Sequence, residues 1–187
     1  MNGVQPEKYW ILCKRGPPPI AITFGSTQSR KLSEIKLKVI EALIRCKQRG
    51  IIVAAKPDIR HSSPDVLQVD YVPYNWLFKR SAVVIHHGGA GTTAKGLIAG
   101  VPNIILPFTS DQPFWGRQVY ALGAGPKPIP ARNMSTRALT DAIDQAMTNK
   151  KMRREAELIG ERIRKEDGVS QAVKIIENYL ERYQINN

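Results

Sequence analysis

The sequence is poor in cysteine, has no long apolar run and has few acids for its bases. Cys13 and Cys46 are the only cysteines among 187 residues. Their spacing matches no metal motif and no disulfide framework, so they read as two free thiols. No run reaches the about 18 apolar residues that a spanning helix needs. The opening MNGVQPEKYWILCKRGPPP lacks the charged-then-apolar order of a secretion signal. The expectation is a cytoplasmic protein, with peripheral membrane contact left open. Lys and Arg number 28 against 16 Asp and Glu, a net charge of +12. Such an excess attracts phosphates, nucleic acid or anionic lipid. It is scattered, however, over CKRG, SRKLSEIKLK and RCKQR. The last run, NKKMRREAELIGERIRKEDG, alternates in sign like a solvated helix face. No aromatic-interleaved basic strand or zinc spacing supports nucleic-acid binding, and none is expected. Internal repeats and low-complexity tracts are also missing.

What is present is enough for a core: 42% of residues are hydrophobic. The length fits one domain, residues 17–187, behind an extension at 1–16. Five apolar runs read as buried strands: Ile20 to Phe24, Ile51 to Ala55, VLQVDYV, SAVVIHH and VPNIILP. A helical stripe runs from Leu32 to Arg49, with Gly50 as its stop. Further helices are expected at Thr92 to Ala99, from Asp111 to a close at Gly123, after an N-cap at Ser135, and near 151–165 and 169–184. Unbroken apolar strands alternating with helices predict an α/β fold: a doubly wound parallel sheet with helices on both faces. Ligands bind such sheets at the carboxyl ends of the strands. The loops at Gly25-Ser26, Tyr71-Val72, His86 to Thr93 and Asp111-Gln112 each follow a strand, so they converge on one rim.

The densest of these loops is HHGGAGTTA. Glycines let backbone amides approach an anion, and the following helix aims its positive end at the same point. Thr92 and Thr93 add hydroxyl donors. The segment therefore reads as a phosphate or diphosphate site. It lacks the Gly-Lys-Ser/Thr ending of a Walker loop. Gly89-x-Gly91-x-x-Ala94 matches a dinucleotide fingerprint, but after the fourth strand rather than the first, which argues against a nicotinamide enzyme. Side-chain alternation turns His86 the other way along the strand end, so His86 reads as structural. Trp76 and Trp115 read as packing residues. No metal cluster appears, and no cofactor is expected.

FGS, VPYNWLF, HHGGAGTTAKGLIAGVPNIILPF, DQPFWGRQVYALGAG and PKPIP occur in that order. Together they resemble the donor-binding C-terminal half of the UDP-sugar-dependent glycosyltransferases of two-domain B-type fold. The branch is the sterol glucosyltransferase-like and antibiotic glycosyltransferase-like one, and the likeness spans about Pro17 to Met147. The resemblance implies that His87 bonds the diphosphate, that Gly89 and Gly91 offer backbone, and that Thr92 and Ser26 add hydroxyls. It implies that Tyr71 and Val72 hold the uracil, and that Asp111 and Gln112 bind sugar hydroxyls. A carboxylate beside an amide suits vicinal hydroxyls, since one accepts and the other also donates. Two positions depart from the pattern. Tyr74-Asn75 replaces a His-Asp pair, and Lys95 stands where plant relatives carry a ribose-binding glutamate.

In that family an N-terminal domain binds the acceptor and supplies the general base. The residues before the first strand are too few to build one. The resemblance thus implies a UDP-hexose donor domain, with glucose the sugar the family pattern favours, that needs an acceptor-binding domain or subunit. The alternatives are a non-catalytic nucleotide-sugar module and the donor subunit of a split glycosyltransferase.

Overall fold

The computed structural model describes residues 16–25, 32–54 and 64–185. Five parallel strands form one sheet: β1 (Ile20–Thr23), β2 (Gly50–Val53), β3 (Val66–Val69), β4 (Val83–His86) and β5 (Asn103–Ile105). Their spatial order is β3-β2-β1-β4-β5. The order reverses between β1 and β4, whose register pairs Thr23 with His86. That reversal opens a crevice at the strand carboxyl ends.

The described α-helices are α1 (Leu32–Arg45), α2 (Tyr74–Leu77), α3 (Ala90–Ala99), α4 (Gln112–Ala121), α5 (Thr136–Thr148), α6 (Lys150–Lys165) and α7 (Gly168–Ile185). They cover both faces of the sheet, as the doubly wound pattern predicts. One core holds Ile20, Ile22, Val39 and Leu43 beneath α1 and α5. A second holds Ala21, Ile51, Val84 and Phe78, and a third holds Ile105, Val119, Ala124 and Ala156. The central strands bury every residue, which explains their unbroken apolar runs. Ser135 caps α5, its hydroxyl accepting from the Ala138 amide at 3.1 Å. No described helix is long and apolar enough to cross a membrane.

Several boundaries differ from the sequence reading. α1 ends at Arg45, not Arg49; Lys47 turns the chain with φ 52°, and Gly50 opens β2. Gly50 is needed there for space, because a Cβ would overlap the Leu43 side chain. α3 begins at Ala90, two residues before the expected Thr92. α2 and the 3-10 turn Phe78–Arg80 were not anticipated, because each is too short to show a period. Ser26, Ala55, His61 and Cys13 lie outside the described residues.

Candidate functional site

The site grows from the β1–β4 pair. Gly25, after β1, has φ 57°, a conformation that favours glycine. A Cβ there would stand 2.9 Å from Cε1 of His87. On the other side, a Cβ on Gly89 would stand 2.5 Å from His87 Nε2. The two glycines thus form a slot for the His87 imidazole. Its Nδ1 is buried and meets full hydrogen-bond geometry with no group among the described residues, although the Thr23 carbonyl is near enough to act on the ring. Burial holds the His87 pKa below its ordinary value, while Asp111 and the Thr23 carbonyl pull the other way.

His86 points to the opposite side and is wholly buried. It belongs to the floor of the site, as alternation along the strand predicts. Gly88 has φ 89°, and a Cβ there would lie 3.0 Å from the Gln112 carbonyl oxygen. The glycine loop and the start of α4 are therefore pressed together.

Gly89 is the N-cap of α3, so Gly91 and Thr92 fall in its first turn. Thr92 and Thr93 donate their amides back to the Gly89 carbonyl, at 3.1 and 2.9 Å. The Thr93 hydroxyl also donates to that carbonyl at 3.0 Å, so it is spent within the helix. The hydroxyl of half-buried Thr92 makes no hydrogen bond among the described residues. Among the described residues, nothing outside its own chain neighbours and helix backbone lies within 4 Å of a Cβ built on Gly91. The space in front of the first turn is open, and an anion there would meet the helix's positive end.

Next to this turn lies a cavity of about 430 Å³, a size typical of small-ligand sites. Gly25, Tyr71, Val72, Tyr74 and Lys95 are among its lining residues. Tyr71 is 70% exposed, so it is no core aromatic and offers its ring to a ligand. Val72 is buried. Tyr74 is the residue that sequence reasoning treated only as a departure. Its hydroxyl lies 2.6 Å from Thr23 Oγ1, and its ring stacks on Phe78 at 5.0 Å. The Lys95 ammonium sits 5.4 Å from that ring's centroid. The stacked wall was hidden because its partners come from three separate elements.

Asp111 and Gln112 stand on the other flank. Asp111 occupies the N-cap position of α4, yet its side chain caps no helix amide. Its Oδ2 instead accepts from the Trp115 indole at 2.8 Å. Trp115 is thus more than packing: it orients the carboxylate. Gln112 Oε1 accepts from the Phe108 and Thr109 amides at 2.8 and 3.3 Å. Its amide nitrogen makes no hydrogen bond among the described residues. No group of three or more His, Cys, Asp or Glu that could hold a metal occurs among the described residues.

The geometry brings His87, Gly89, Gly91, Thr92 and Gln112 to one rim, with Asp111 close enough to act on His87. Tyr71 and Val72 line the adjoining cavity. Known proteins share this arrangement of chain. A family model of the erythromycin biosynthesis protein CIII-like C-terminal domain matches residues 38–176. The chain belongs to that family. The chain is similar to a sterol 3-beta-glucosyltransferase of Arabidopsis thaliana, 44% identical over 174 residues. That match spans 91% of this chain and 27% of the relative. It is also similar to the O-mycaminosyltylonolide 6-deoxyallosyltransferase of Streptomyces fradiae, 34% identical over 166 residues, spanning 89% of this chain and 39% of the relative. The resemblance to sterol and antibiotic glycosyltransferases is therefore borne out.

Among solved structures, the glycotransferase of kitacinnamycin superposes with a TM-score of 0.77 at 20% identity, over 88% of this chain and 43% of that one. An O. sativa protein solved in complex with UDP gives a TM-score of 0.70 at 17% identity, over 86% of this chain and 39% of that one. At such identities the likeness shows the fold. The chain spans less than half the length of each of these relatives.

Proposed function

We propose that this domain binds a UDP-sugar and presents it for inverting transfer of a hexose to a lipid or small-molecule hydroxyl. The acceptor and the general base come from a further domain or subunit. The observation that carries the reading is the His87 slot. A half-buried imidazole is held between Gly25 and Gly89 with its Nε2 beside Gly89, the N-cap of α3, next to a cavity with an exposed aromatic wall. In this reading His87 and Thr92 bond the diphosphate, and the α3 amides at Ala90 and Gly91 take up its charge. Ser26, on the loop after β1, adds a hydroxyl. Tyr71 stacks on the uracil, and the Val72 backbone bonds its edge. Asp111 and Gln112 bind the sugar hydroxyls, with glucose favoured.

Transfer breaks the bond between the anomeric carbon and the diphosphate oxygen. Negative charge then builds on the leaving UDP, and donors already aimed at that oxygen lower the barrier. Fixed amides can supply this without a metal or cofactor. The names of the relatives support a sterol-like lipid as acceptor. The proposed setting is cytoplasmic, at a membrane surface when the acceptor is a lipid.

Calorimetry with UDP and UDP-glucose tests the reading. Binding is expected to weaken about ten-fold or more in His87→Ala and Thr92→Ala, as loss of charge-assisted hydrogen bonds does. Absence of any uridine-nucleotide binding at millimolar concentration would remove the proposal. The same titration separates a donor domain from a bare binding module if UDP-glucose is slowly hydrolysed without acceptor.

A further inference from the structure

A second cavity lies at the opposite end of the sheet. Ala82 and Pro102, which line it, immediately precede β4 and β5, so it opens at the strand amino ends. Its volume is about 550 Å³. The charged residues around it are Lys150, Arg153, Arg154 and Arg164, with Glu157 as the one carboxylate. In the sequence this region alternates in sign. Folding sorts the signs, because Glu155 and Glu161 do not line the cavity.

Arg154 pairs with Glu157 at 2.8 Å, and Arg164 donates to the Ile98 carbonyl near the end of α3. Those contacts account for two of the cations. Lys150 and Arg153 have no partner among the described residues. Their placement does not serve their own helix either. The first turn of α6 carries no acid, so these cations oppose the macrodipole.

The walls are firm rather than loop-built. Gly160 of α6 packs on Gly100, where a Cβ would come 2.7 Å from the Gly100 Cα. Met152, Ala156 and Gly160 bury the inner face of α6. The positive sign also continues beyond the cavity, where Lys47 and Arg49 line a neighbouring depression at the same end of the sheet, with Asp65 the one acid there.

We propose that the cavity between α3 and α6 is a second anion site, separate from the donor rim, that takes a phosphate-bearing group. A phospholipid headgroup and a soluble phosphorylated metabolite share that chemistry. Two unpaired cations beside two anchored ones, around a void of ligand size, offer point charges and a planar guanidinium fork to the same phosphate.

The test uses the full chain saturated with UDP. Sedimentation with phosphatidylcholine vesicles, with and without phosphatidic acid, probes the lipid source. Calorimetry with inositol hexakisphosphate probes the soluble one. Binding to at least one probe is expected, weakening as salt rises. A cation near an anionic surface is worth about five-fold in affinity, so Lys150→Glu with Arg153→Glu should weaken binding at least about ten-fold. The neutral pair Lys150→Gln with Arg153→Gln should give a smaller loss in the same direction. UDP binding should stay unchanged in both, which keeps this test independent of the donor reading. Vesicle binding without the soluble ligand assigns a lipid headgroup, and the reverse assigns a metabolite. Binding to neither probe, undiminished binding in the charge-reversed variant, or preferential retention on an RNA oligonucleotide overturns the proposal.

Discussion

His86 Nε2 and Asn103 Oδ1 lie 3.0 Å apart in the floor of the site, both residues wholly buried. The Asn103 amide nitrogen donates to the Val101 carbonyl at 2.7 Å, which leaves Oδ1 to accept. His86 Nε2 is therefore the donor, and its Nδ1 accepts from the Gly88 amide at 3.1 Å. Every polar atom of the pair is used, and the imidazole is neutral. Burial pushes the His86 pKa down to about 3 from 6.5.

That shift gives a pH dependence of stability. The folded pKa is depressed, so between about 6.5 and 3 the unfolded chain binds a proton that the folded one refuses. The contribution is intact above pH 6.5 and lost on acidification. Each pH unit within the window costs about 1.4 kcal/mol. Urea midpoints for the wild type and His86→Asn should show it. The variant is expected to be less stable at pH 7, since the Asn103 oxygen loses its donor, yet to decline less steeply toward pH 4. Parallel slopes would refute the buried neutral histidine.

Two glycine variants separate shape from ligand space. Gly25→Ala should displace the His87 ring and strain a left-handed residue, costing about 1–3 kcal/mol of stability along with UDP affinity. Gly91→Ala meets no neighbour and should fold at least as well, as alanine usually favours a helix by about 1 kcal/mol. If the diphosphate fills the space in front of α3, Gly91→Ala nonetheless loses UDP affinity. Unchanged affinity there, read by calorimetry, would place the ligand elsewhere.

Trp115→Phe removes the indole donor that holds Asp111 and leaves the rest of α4 intact. UDP-glucose affinity should fall about five-fold, one hydrogen bond's worth, whereas UDP affinity should not change. An equal loss for both ligands would mean that Asp111 does not face the sugar.

The Cys46 thiol donates to the Thr140 carbonyl at 3.7 Å and is half-buried. Burial, with Asp144 nearby, pushes its pKa up to about 11. Since the thiolate is the reactive form, iodoacetamide should modify Cys46 far more slowly at neutral pH than it modifies a small free thiol. Peptide mapping by mass spectrometry reads this directly.

The sheet was legible because its central strands are apolar throughout, and the rim was legible because each flagged loop follows one of them. The slot around His87 was not. It depends on Gly25 and Gly89 standing on both sides of one ring, and their separation along the chain hides that. α3 starts earlier than its glycine-rich opening suggests, because helical backbone accepts Gly91 in a first turn. Trp115 and Tyr74 escaped for a related reason: one holds a carboxylate a helical turn away, and the other closes a wall with Thr23, Phe78 and Lys95. Their roles are relations across the fold, which composition and periodicity do not carry.

Asn103 does one more thing. Its side chain fills the place a Cβ on Gly96 would need, and its carbonyl fills the place a Cβ on Gly125 would need. The α3 rod is thus seated on a peg that the His86 and Val101 bonds hold in place, and it cannot sink closer to the sheet. The height of its leading turn above the sheet is fixed from below. Lys95 and Asn75, exposed at the mouth of the cavity beside Tyr71, carry none of that weight, so that mouth can change without unseating the helix.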